Sequence, residues 1–134
     1  MVSTMTEAKQ EKHEKQEKNK AKVRQEFDEI VNMGPNEIES WLSTDASRSV
    51  GSRHDGEQEY QSGRRIAEIT RKQVDELDQR DYAHMRKIIG HVRRHLVQRP
   101  AGNARHTRWR WSLMNWGHDP LKSPSKSRAG RSTH

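Results

Sequence analysis

The sequence predicts an all-α protein: four to five helices in one small domain, with disordered tails at the N- and C-terminal ends. Three observations lead there. Apolar residues recur at helical spacing, most clearly over residues 82–96. No stretch alternates apolar and polar residues over the length of a strand. Pro35, Pro100 and Gly117 fall where periodic segments would start or stop.

The apolar residues also set the domain limits. Leu, Ile, Val and Phe total only 19 of 134 residues, a fraction usual for disordered chains. All of them except Val2 lie between Val23 and Leu121, as do the four tryptophans. The expected organisation is therefore a charged, solvated arm over 1–22, a helical domain over 23–121 and a basic, disordered tail over 122–134.

In the arm, Glu and Lys alternate without an apolar stripe. Glu11–Lys15 and Glu14–Lys18 stand at i, i+4 in the favourable order, so a fraying, solvated helix is expected there. Val23, Phe27, Ile30 and Val31 then mark a first amphipathic helix, broken at Gly34-Pro35. Ile38, Trp41 and Leu42 mark a short second helix, expected to form an αα-hairpin with the first. Residues 44–61 read as a polar loop. A third helix is expected from an N-cap at Ser62, carrying Ile66 and Ile69.

The fourth helix has Asp78 or Asp81 as its cap and Pro100 as its stop. Tyr82, Met85, Ile88, Ile89, Val92 and Leu96 share one face; Arg80, Lys87, His91 and Arg94 fall opposite. A fifth runs from about Thr107 to Trp116, capped by Thr107 and closed by Gly117. Within it Trp109, Leu113 and Trp116 share the core face, whereas Trp111 points elsewhere and either fills a second groove or is a contact residue.

Charge is unevenly distributed. Residues 1–60 carry 9 Lys/Arg against 13 Asp/Glu, and residues 61–134 carry 17 against 6. From Ala83 onward, 12 basic residues face Asp119 alone. Such asymmetry points to a polyanionic partner. The absence of cysteine excludes disulfides and thiolate metal sites. Without an apolar run of membrane-spanning length or a signal-peptide stretch, no membrane role and an intracellular location are expected.

No nucleophile motif, H-E-x-x-H or P-loop is present, so no catalytic residues, no cofactor and no enzymatic activity are expected. His84, His91 and His95 lie on one stripe, and His91 and His95 have a zinc-compatible spacing. The surrounding cations and the lack of an acidic or thiolate ligand argue against a metal. Arg64 and Arg65 occupy the first turn of the expected third helix, where they either hold an anion or pair with a carboxylate such as Asp55, Glu57 or Glu59.

Several blocks resemble a known family. Trp41-Leu42-Ser43-Thr44, Ser49-Val50-Gly51, Ser62-Gly63-Arg64-Arg65-Ile66, His84-Met85-Arg86-Lys87 and His95-Leu96-Val97-Gln98-Arg99-Pro100 occur in the order found there. They are followed by the specific block Thr107-Arg108-Trp109-Arg110-Trp111-Ser112-Leu113-Met114-Asn115-Trp116-Gly117-His118-Asp119-Pro120-Leu121-Lys122. Over about residues 23–122 the chain is similar to an uncharacterised domain-of-unknown-function family, number 3140. Some members carry a DNA-binding label, which the resemblance extends to this chain as an expectation without assigning residues.

The functional expectation is a non-enzymatic helical module that contacts nucleic acid, DNA first, mainly through phosphates. Its residues would be Arg64, Arg65, Arg80, Lys87, His91, Arg94, Arg105, Arg108 and Arg110. The alternative is a protein–protein adaptor, or a self-associating protein, that docks the basic face on an acidic partner. Oligomeric state is open.

Overall fold

The computed structural model describes residues 3–50 and 56–122. Among them are six α-helices and one 3-10 turn, with no strand: α1 (Ser3–Ile30), α2 (Pro35–Leu42), α3 (Asp45–Val50), α4 (Gly56–Arg71), the turn Val74–Glu76, α5 (Gln79–Leu96) and α6 (Arg108–Asn115). The all-α expectation stands, but there are six helices rather than four or five, because part of the expected polar loop is helical. Thr44 Oγ1 accepts from Ser47 N at 3.2 Å and starts α3. Residues 51–55 of that loop, and the expected basic tail over 123–134, lie outside the described residues.

The arm, expected as a solvated helix, is helical over its described residues. From Ser3 it is continuous with the first amphipathic helix, forming one α1 of 28 residues, about 42 Å long. Its side chains are solvent-exposed from Ala8 to Asn19, and packing begins near Lys20. There Lys20 Nζ lies 5.6 Å from the centre of the Tyr82 ring, and Arg24 NH1 donates to Tyr82 Oη at 2.8 Å. The principal neighbour of α1 is α5, and that of α2 is α4, so the expected hairpin of the first two helices gives way to these pairings. The helix α6 touches α2, α3, α4 and α5.

The core gathers Phe27, Val31 and Met33 from the end of α1, Ile38 and Leu42 from α2, Ile66 from α4, Met85, Ile88 and Val92 from α5, and Leu113 and Trp116 from the α6 end. Trp41, Leu96, Trp109 and Met114 pack against it while partly exposed. Trp111 is half-buried and stands outside this cluster.

The start of the expected third helix is displaced. The helix containing Ser62 starts at Gly56, so Ser62 is a buried mid-helix residue and not an N-cap. The next position, Gly63, is where α4 meets α2 and α6. A Cβ there would stand 2.7 Å from Asn115 O and 2.9 Å from the Leu42 methyls. Glycine is thus a packing requirement at this contact.

The C-terminal segment closes the fold. Gly117, at φ +77°, lets Gly117 N reach Met114 O at 3.0 Å and His118 N reach Leu113 O at 3.0 Å, which ends α6 in a Schellman motif. Asn32 Nδ2 donates to Asp119 O at 2.9 Å, and Asp119 N donates to Asn32 Oδ1 at 2.8 Å, tying the α1–α2 link to this end. Met33 N donates to Gly117 O at 3.2 Å beside them. In the interior, Asn115 Oδ1 accepts from both Trp41 Nε1 and Ser47 Oγ, and so joins α2, α3 and α6.

Candidate nucleic-acid interface

The helix α5 carries the cationic face. Its start is fixed by a reciprocal capping box: Asp78 Oδ1 accepts from Asp81 N at 2.8 Å, and Asp81 Oδ2 accepts from Asp78 N at 3.1 Å. Tyr82, Met85, Ile88, Ile89 and Val92 are buried against α1 and the core, as their spacing requires. That orientation puts Arg80, Lys87 and Arg94 on the opposite side. They stand seven residues apart, rising about 10 Å at each step along the axis. All three are exposed, and none makes an ion pair with a described carboxylate.

Arg64, on α4, is also exposed. It faces a shallow groove of about 460 Å³ between α4 and the start of α5, which Arg65, Glu68, Lys72, Arg80 and Asp81 also line. Arg65 does not add a free charge there. Its NH2 lies 3.6 Å from Asp81 Oδ1, and Lys72 Nζ lies 2.7 Å from Asp81 Oδ2. Burial pushes the Asp81 carboxyl up, but the Lys72 and Asp78 hydrogen bonds and the nearby cations outweigh it and hold the group below its usual range. The carboxylate hydrogen bond in turn raises Lys72. The choice posed by the sequence, between an anion and a carboxylate partner, is met for Arg65 by Asp81. No helix N-terminus exists at Ser62 to hold an anion.

The remaining expected residues separate from this face. Arg110 Nε donates to Asp119 Oδ1 at 3.0 Å and its NH2 to Asp119 Oδ2 at 2.9 Å, while NH1 donates to Arg105 O at 3.0 Å. Arg110 is therefore neutralised and structural, not a phosphate contact. Arg108 is exposed but directs NH2 to Ser49 O of α3 at 3.2 Å. Arg105 is exposed beyond the end of α5. None of these hydrogen bonds joins the α6 arginines to the α5 stripe.

His91 departs from its expected place on the open face. It is half-buried, its ring stacked on Trp116 with centroids 4.0 Å apart. His95 is stacked with it at 5.6 Å between centroids. Burial, with His95, Arg94 and Lys87 adding to it, lowers His91 to about 4, so the ring is neutral at pH 7. His84 is lowered too, by burial first and then by Arg65 and Lys87. Among the described residues, no group of three or more potential ligands converges on a metal position.

The acidic front half neutralises basic residues, but at other positions. Glu26 pairs with Arg93 at 3.3 Å, Glu37 with Lys122 at 2.7 Å, and Glu39 with Arg71. Arg86, which the helical-wheel argument passes over, is also exposed on α5 without a described carboxylate partner. Its signal lay in the basic count of the helix rather than in the face pattern. No described helix is long and apolar enough to cross a membrane.

A family model described as Protein of unknown function (DUF3140) matches residues 26–114. No curated protein and no solved structure matches the chain.

Proposed function

The chain belongs to the DUF3140 family, and from that premise, which assigns no activity, we propose that it is a non-enzymatic module that binds nucleic acid inside the cell through the phosphates. The observation that carries this reading is the stripe of Arg80, Lys87 and Arg94, exposed along one side of α5 and without a carboxylate partner among the described residues, while described carboxylates of the front half pair with other cations. Arg64 extends the stripe across the groove toward α4.

Phosphate contacts of this kind supply affinity without sequence preference, because they release counterions and read no base edge. The helix that follows α4 is not a recognition helix of the helix-turn-helix type. Its charges run along its whole length rather than collecting at its N-terminus. Double-stranded DNA, with its dense row of backbone charges, is the first substrate to test.

The test is fluorescence anisotropy with a random-sequence duplex over a salt series. Binding should weaken steeply with salt. Lys87→Glu with Arg94→Glu should abolish it, with helicity unchanged. Lys87→Gln with Arg94→Gln should leave weaker binding whose log–log salt slope is smaller by about 2, one unit per lost phosphate contact. Binding that ignores salt, or that survives the charge reversal, overturns the reading.

A further inference from the structure

Alongside the unpaired cations of α5 runs a row of residues four apart: Lys87, His91 and His95. The two rings are stacked with centroids 5.6 Å apart at an interplanar angle of 16°, and His91 lies on Trp116 at 4.0 Å and 25°. Arg94 sits between the two histidines in sequence and, like Lys87, is exposed. Nε2 of His91 is buried and has no hydrogen-bond partner. An imidazole pair is thus held in place by aromatic packing, within one helical turn of two cations already assigned to phosphate, and without a polar partner that would fix its protonation state.

The charges that act on His91 all oppose a positive charge there, and burial opposes one on His95. On α5 itself they are Lys87 and Arg94. The contact from the α6 end is the uncharged Trp116 ring, and Arg110 and Asp119 there are spent on each other. From α1, Lys20, Arg24 and Glu26 engage Tyr82 and Arg93, on the other flank of α5. From α4, Arg65 acts on His84, two turns upstream. The Asp119 and Asp81 carboxylates are paired with Arg110 and with Arg65 and Lys72, and no carboxylate is among the groups acting on His91.

A phosphate reverses this balance. Docked on Lys87 and Arg94, it cancels their repulsion and brings a negative charge beside the rings. We propose that nucleic-acid binding at this face is proton-linked: phosphate docking on Lys87 and Arg94 is accompanied by uptake of a proton from solvent onto the His91–His95 pair. The pair takes one proton and not two, because two stacked imidazolium rings would repel each other. By linkage, a ligand that raises proton affinity is itself bound more tightly where the proton is available, so affinity rises as pH falls below neutral. The Trp116 face adds to the effect, since a charged imidazolium over an indole ring gains a cation–π contact. This inference rests on the proposed phosphate-binding reading and names how that site is regulated.

The experiment measures affinity for the random-sequence duplex at constant ionic strength from pH 8 to pH 5.5. Wild-type affinity should rise on acidification by up to about tenfold per pH unit, the limit for one linked proton. The variant His91→Gln with His95→Gln should lose most of that slope, with the fold checked by circular dichroism. A second measurement needs no variant. The imidazole resonances of His91 and His95 are titrated by NMR in the wild-type protein, with and without duplex, and both midpoints are followed. An upward movement on adding duplex supports the linkage. Unmoved midpoints, or superimposable pH profiles for wild type and variant, overturn it. Binding that depends on Lys87 and Arg94 but is flat with pH overturns this inference and leaves the phosphate-binding reading intact. Failure to bind duplex at any pH overturns both.

Discussion

Arg110 grips Asp119 with two parallel hydrogen bonds, Nε to Oδ1 at 3.0 Å and NH2 to Oδ2 at 2.9 Å, across the turn that ends α6. Only 20% of the Arg110 side chain and 12% of the Asp119 side chain are accessible. Truncating one partner strands the other. Asp119→Ala should destabilise the protein by about 3 kcal/mol, the cost of leaving a largely buried guanidinium without its counter-charge. Urea denaturation measures this directly, and a loss below about 1 kcal/mol would mean that the pair is dispensable.

Gly63 should tolerate no side chain. Its added Cβ would stand 2.7 Å from a backbone oxygen, Asn115 O, which cannot swing away as a long side chain would. Gly63→Ala should cost about 2 kcal/mol or more through overpacking, even though alanine is the better helix former. At Gly34, by contrast, a Cβ meets nothing within 4 Å, so Gly34→Ala should lose well under half as much. Thermal melts of the two variants side by side make the comparison.

The hydrogen bonds around Asn115 predict a third loss. Its Oδ1 serves both Trp41 Nε1 and Ser47 Oγ, and its Nδ2 donates to Ser47 O at 3.3 Å. Asn115→Leu keeps most of the volume but leaves those donors without an acceptor. Each stranded group costs about 1–3 kcal/mol, and the indole emission of Trp41 should change as its N–H bond is lost. Equilibrium unfolding followed by fluorescence reports both effects.

Acid should unfold the protein in two stages. Burial holds His84, His91, His95 and His118 below their ordinary value of 6.5, His91 to about 4. The unfolded chain therefore binds more protons as soon as pH falls through 6.5. The stabilisation from these neutral rings is complete above that point and drains away toward pH 4. Asp81 and Asp119 are held below 3.8, so their contribution is present above that value and is lost as pH falls through their lower folded values. Urea midpoints at pH 7.5, 5.5 and 3.5 should fall at each step, and His91→Gln should flatten the first.

Shortening the arm should cost little. Side chains from Ala8 to Asn19 are exposed, and the core begins to receive α1 only near Lys20. A chain lacking residues 1–19 should melt within about 2 °C of the full protein, because the side chains removed between Ala8 and Asn19 are exposed. Its loss of helical circular dichroism should be confined to the deleted turns.

Much of this molecule is local and therefore readable from residue order. The cap at Asp78, the apolar face of α5, the start of α6 at Thr107 and its end at Gly117 each follow from side chains within a few positions of one another. The exposed stripe of Arg80, Lys87 and Arg94 follows in the same way, since burying one face of a helix presents the other.

What residue order left open was which groups meet after the chain folds back on itself. Arg65 and Arg110 look as free as Arg64 and Arg108 until packing brings Asp81 and Asp119 to them. His91 looks exposed until Trp116 covers it, and Ser62 looks like a helix start until Gly63 is seen to meet Asn115. The physical reason is range. Capping and helical periodicity act within one or two turns, whereas ion pairing, stacking and close packing depend on how the chain turns and its elements meet beyond that range.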